Sequence, residues 1–168
     1  VYYTLTQLGY KTSGFSWNNP VPVDTDHWLT VNDNCTITYD GKTSKVEVEK
    51  KNIKTTDRPY WECADGSVIT AGSVVVAQNP SGEDHAWIYM GEFDSRNDVI
   101  SYLRSIGVSE KLINSKTVGD GKGAGGKHWR IESSGSEGVV INNKTDGKTA
   151  TAMNMSAFRI TKNDVKFE

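Results

Sequence analysis

An α+β fold, one helix followed by an antiparallel sheet, is the class this sequence predicts, on three observations. Apolar residues at helical spacing open the chain, with Val1, Leu5 and Leu8 on one side and Gly9 where a helix stops. Several later runs alternate apolar and polar residues between turn signals, the pattern of half-buried strands. One amphipathic segment, around 95–114, predicts an inserted helix. The 168 residues suit a single domain, 1–168, with a real hydrophobic core.

The elements follow in order. The first helix has no capping residue ahead of its apolar pattern, as though the chain began inside it. Residues 11–34, with Gly14, Pro20 and Pro22 among polar clusters, read as loop. Cys35–Tyr39 and Lys45–Glu49 alternate strictly about Asp40-Gly41-Lys42, which predicts a hairpin. A connector over 52–66 leads to a strand at 72–77, a turn at Asn79-Pro80-Ser81-Gly82, and a strand from His85 that Gly91 closes. Asp94-Ser95 opens a helix whose Val99, Leu103 and Ile106 share a face, and Gly107 ends it. A second helical turn runs over Ser109–Ile113. Gly119–Gly126 reads as a flexible glycine loop; it lacks the GxxxxGK[ST] order and a preceding strand, which argues against a phosphate loop. Three strands close the pattern, at His128–Ser133, Gly138–Asn142 and Met155–Ile160.

Charge and composition exclude several functions. Nineteen basic against 21 acidic residues, without a long run of one sign, disfavour a nucleic-acid or membrane-surface partner. No apolar run nears the roughly 20 residues that span a bilayer. Cys35 and Cys63 are the only cysteines and belong to no CxxC pair, so no metal or redox site is expected, nor any cofactor. They are read as structural, bridged or as two buried thiols.

Chemistry concentrates at His85, one of three histidines. It stands at the mouth of a strand, after a polar turn, where rigid backbone positions a ring that substrate still reaches, as a general base requires. Glu132 lies on the next predicted strand. If the two strands pair antiparallel, Glu132 accepts from one imidazole nitrogen, fixes the tautomer and leaves the other nitrogen for a nucleophile.

Three blocks of this sequence resemble the NlpC-type peptidoglycan cysteine peptidases, a papain-like superfamily that includes the CHAP amidases. Thr70-Ala71-Gly72-Ser73-Val74-Val75-Val76 resembles the family's strand after a proline-glycine-aspartate turn, with Ala71 and Ser73 in place of proline and aspartate. Asp84-His85-Ala86-Trp87-Ile88-Tyr89-Met90-Gly91 resembles the strand that bears the family's base, and Ile131-Glu132-Ser133-Ser134 the strand that bears its orienting residue. Here an insertion over 94–127 separates the last two blocks, which are nearly adjacent in most relatives. The resemblance implies a papain-like (NlpC-type) fold, with His85 and Glu132 catalytic. It also implies a cysteine nucleophile at a helix start, whose match to Leu8-Gly9-Tyr10 falls about four residues ahead of Val1, so the chain reads as truncated just after that position.

The function this implies is a peptidoglycan peptidase or amidase, secreted or at the Gram-positive cell surface, acting on stem peptides. Tyr60, Trp61 and Trp87 are the candidates to line a substrate groove. The alternative is a non-catalytic adhesin or binding module on the same scaffold, with an extracellular host or cell-surface ligand. The altered turn before Val74, the insertion and an ending that trails off as though into another extracellular domain favour it.

Overall fold

β-branched and aromatic residues recur along the strands because they fit a pleated surface covered on at least one side. The computed structural model describes residues 15–18, 35–39, 42–53, 60–78, 85–113, 117–134, 138–145 and 154–163. Among these, eight strands form one sheet: β1 (Phe15–Asn18), β2 (Cys35–Tyr39), β3 (Lys42–Asn52), β4 (Val74–Gln78), β5 (His85–Glu92), β6 (His128–Ser134), β7 (Gly138–Asn142) and β8 (Asn154–Asn163). Two helices, α1 (Arg96–Ser105) and α2 (Glu110–Ile113), lie between β5 and β6. None of the described helices is long and apolar enough to cross a membrane.

All neighbours pair antiparallel, in the order β1-β2-β3-β8-β4-β5-β6-β7. The last strand thus inserts between β3 and β4. Val75, Val76 and Ala77 are buried in succession along β4, as a central strand with both faces covered requires.

The papain-like α+β fold with a leading helix does not describe this molecule. An antiparallel sheet dominates, and the only described helices are the short α1 and α2. Local spacing signals a helix or a strand, whereas the architecture follows from long-range pairing, above all β8 against both β3 and β4. The helix expected over 1–10 lies outside the described residues. Of the stretch expected to be loop, Phe15–Asn18 is strand β1. The expected hairpin does form, with β3 longer than its alternating core.

The helix expected around 95–114 divides into α1 and α2. Ser95 caps α1, its hydroxyl accepting from Asp98 N at 3.2 Å, and Gly107 leaves the helix at a φ of 82°. Val99 and Leu103 are buried with Ile113, Val118, Trp129, Ile131, Val139 and Ile141. The insertion therefore covers one face of the sheet. Trp87, Tyr89, Val75, Ala77, Met155 and Ala157 form the other core, beneath Ile53, Tyr60, Cys63 and Ile69. Cys63 is a buried free thiol in that core.

Candidate functional site

Side chains alternate across a strand, so His85, Trp87 and Tyr89 share one face of β5, and His128, Arg130 and Glu132 one face of β6. In the β5–β6 register Trp87 stands opposite Glu132 and Tyr89 opposite Arg130. His85, two residues back from Trp87, meets Glu132 on the diagonal, within reach of a long side chain. The His85 Nε2 to Glu132 Oε2 distance is 2.6 Å. His85 keeps 18% of its side chain exposed and Glu132 8%, so the ring sits at the rim and the carboxylate inside.

Glu132 has two further donors. Arg130 Nη2 donates to Oε1 at 3.0 Å and Asn142 Nδ2 donates to the same oxygen at 2.9 Å. Burial raises the Glu132 carboxyl. The His85 hydrogen bond, the Arg130 charge and the Asn142 amide together outweigh burial and hold the group below its ordinary value. An ionised carboxylate only accepts, so His85 Nε2 carries the proton in this contact. Nδ1 makes no hydrogen bond among the described residues. A neutral ring so held presents a lone pair that can take a proton, and the adjacent carboxylate stabilises the imidazolium that results.

The Arg130 guanidinium is buried against two rings, 5.3 Å from the centre of Tyr60 and 5.2 Å from that of Trp87. Tyr60 and Trp87, expected at a groove wall, are fully buried in the core. Trp61 is half-buried and stacks on His128, ring centres 4.1 Å apart and planes 8° from parallel. The three aromatics thus surround the polar row on this face.

His128 belongs to a second cluster. Its Nδ1 lies 2.8 Å from the Tyr89 hydroxyl, and its backbone oxygen accepts from Tyr60 at 3.0 Å. Burial pushes the Tyr89 phenol up to about 12, with the Glu92 charge adding to the shift, so it stays protonated and donates to Nδ1. Burial likewise holds His128 below its ordinary value, and the nearby Glu92 charge does not reverse this.

The glycine loop wraps the side chain of Asn143. Gly123 N donates to Asn143 Oδ1 at 2.9 Å, Gly125 N to the Asn143 backbone oxygen at 2.7 Å, and Asn143 Nδ2 to Gly121 O at 2.9 Å. A Cβ on Gly123 would lie 2.4 Å from the Asn143 oxygen, so only glycine fits this approach. Among the described residues no three His, Cys, Asp or Glu side chains converge as a metal cage.

Sequence reasoning named His85 and Glu132 and missed Arg130 and Asn142. The Arg130/Glu132 spacing of two, which places both on one face, was a usable signal for the first. For Asn142 the signal is only its place at a strand end, since its partner depends on register. Compared with known proteins, the chain matches no family model, no curated protein and no solved structure.

Proposed function

We propose that this chain supplies the proton-transfer pair of a cell-wall cysteine peptidase or amidase, secreted or held at the cell surface, that cleaves amide bonds in peptidoglycan stem peptides. The observation that carries the reading is the 2.6 Å contact between His85 Nε2 and a carboxylate that two other donors hold ionised. The resemblance of the His85 and Glu132 strands supplies the substrate class and the kind of nucleophile, a cysteine thiol.

His85 Nδ1 takes the thiol proton as sulfur attacks the amide carbonyl carbon. The resulting imidazolium, paired with Glu132, returns the proton to the leaving amine as the C–N bond breaks, which leaves a thioester. Water then attacks the thioester, giving one proton to Nδ1. The acid is released and the thiol is re-formed with that proton. Glu132 stays ionised throughout and holds the ring.

The test uses the full-length protein on purified peptidoglycan, with release of new amino groups as the readout. His85→Ala is expected to lower the rate by about 10²–10⁴-fold, the range of a general base. Glu132→Gln is expected to lower it with the fold intact. Wild-type turnover in His85→Ala overturns the reading. Binding to peptidoglycan without release, by the unaltered protein, replaces it with the binding module.

A further inference from the structure

We propose that Asn142 is a positioning residue for the His85–Glu132 pair: its amide fixes which oxygen of Glu132 is left for His85. The inference rests on the reading of His85 as proton acceptor, and it concerns a residue two strands away from the ring.

Oε1 of Glu132 already accepts from Arg130 at 3.0 Å and from Asn142 at 2.9 Å, and Oε2 alone faces His85. The two donors reach that oxygen from different strands, since Arg130 and Asn142 are opposite each other in the β6–β7 register. They hold it differently. Arg130 brings charge, with its guanidinium packed on the Tyr60 and Trp87 rings. Asn142 is neutral and brings direction.

Its amide cannot be turned around without loss. Oδ1 accepts from Lys144 N at 3.0 Å, so Nδ2 is the end that faces Glu132. The next residue fixes the strand end on which this depends, because the glycine loop closes around Asn143 through Gly121, Gly123 and Gly125. Both asparagines are buried. A carboxylate whose Oε1 is held by Arg130 alone can swing about its last torsion, which is broad and roughly two-fold. Two donors from separate strands remove that freedom, and the short contact to His85 Nε2 is preserved.

Asn142→Asp separates positioning from mere support of the strand end. The aspartate still accepts from Lys144 N, but it offers Glu132 an acceptor where a donor stood. Asn142→Leu removes both bonds and serves as the second variant. The readout is solvent exchange of the His85 Nε2 proton, followed by NMR in the ¹⁵N-histidine-labelled chain, with the His128 ring signals as the control for an intact fold. Exchange is expected to accelerate about tenfold in both variants, the order that one lost hydrogen bond supplies. In the full-length protein kcat is expected to fall about as much, with KM unchanged.

A wild-type exchange rate in Asn142→Asp, with the His128 signals in place, overturns the proposal. So does accelerated exchange in Asn142→Leu alone, because support of the strand end then explains it. The exchange measurement needs no turnover. A chain in which His85→Ala stays active while Asn142→Asp loosens the Nε2 proton refutes the hydrolase reading and keeps the positioning role.

Discussion

His85 and His128 belong to the same pair of strands, beside the same aromatic core, yet the two rings are prepared for opposite tasks. His85, at the rim, gives Nε2–H to a carboxylate and leaves Nδ1 without a hydrogen bond among the described residues. His128 receives a phenol on Nδ1 and lies under the Trp61 ring. The first arrangement sets a carboxylate against the ring and leaves its second nitrogen open; burial in the second favours the neutral ring. A histidine is thus read from its partners: a carboxylate partner with an open second nitrogen suits proton transfer, while a phenol partner under an indole suits packing.

The largest effect that sharpens the contrast comes from Glu132. Glu132→Leu leaves the buried Arg130 charge without its carboxylate, and a loss of about 3–5 kcal/mol is expected in urea unfolding. His85→Ala, at the rim, is expected to cost about 1 kcal/mol. If His85→Ala destabilises as much as Glu132→Leu, the division between a structural carboxylate pair and a working ring breaks down.

Next in size is Tyr60→Phe. It keeps the ring over Arg130 but removes the donor to the His128 backbone oxygen, with an expected loss of about 1 kcal/mol by the same measurement. The His128 ring signals are expected to shift while those of His85 stay. A shift in both makes the two clusters one unit.

The smallest effect is a pH dependence. Burial holds His128 below its unfolded value of 6.5, so the folded protein resists charging it. That contribution is complete above pH 6.5 and is lost as pH falls from there toward the folded value. Glu132, held below 4.5, adds a second loss at lower pH, as acid protonates a carboxylate the fold keeps ionised. His128→Gln is expected to flatten the upper window of urea midpoint against pH and to leave the lower one. Trp61 fluorescence is expected to change through the upper window only, since its ring stacks on His128. An unchanged upper window in His128→Gln assigns that titration elsewhere.

The legible part of the site was what neighbouring strands carry by themselves. His85 at a strand mouth and Glu132 on the following strand needed only antiparallel pairing to meet, and β5 and β6 do pair so. Arg130 was signalled by its spacing of two from Glu132, whereas Asn142 needed the β6–β7 register that sets it opposite Arg130, a pairing no local pattern signals. Tyr60 and Trp61 carried no hint that one is buried under Arg130 and the other stacked on His128, because 60–69 reaches the sheet through tertiary packing. The fold class failed for a related reason. A helix-like spacing at the start weighed heavily, while the position of β8 depends on pairings more than a hundred residues apart, such as Lys50 with Phe158.

That position of β8 has a consequence for how the chain is made. During synthesis β3 and β4 leave the ribosome long before the strand that joins them. Until Asn154–Asn163 arrives, both present open hydrogen-bonding edges, and β4, on which the His85 strand leans, is flanked on one side only. Folding of the central sheet is therefore a late event dominated by distant contacts, and such contacts form slowly. A ribosome-bound fragment ending before β8 is a species that a chaperone or a neighbouring nascent chain would meet with two open strand edges on display.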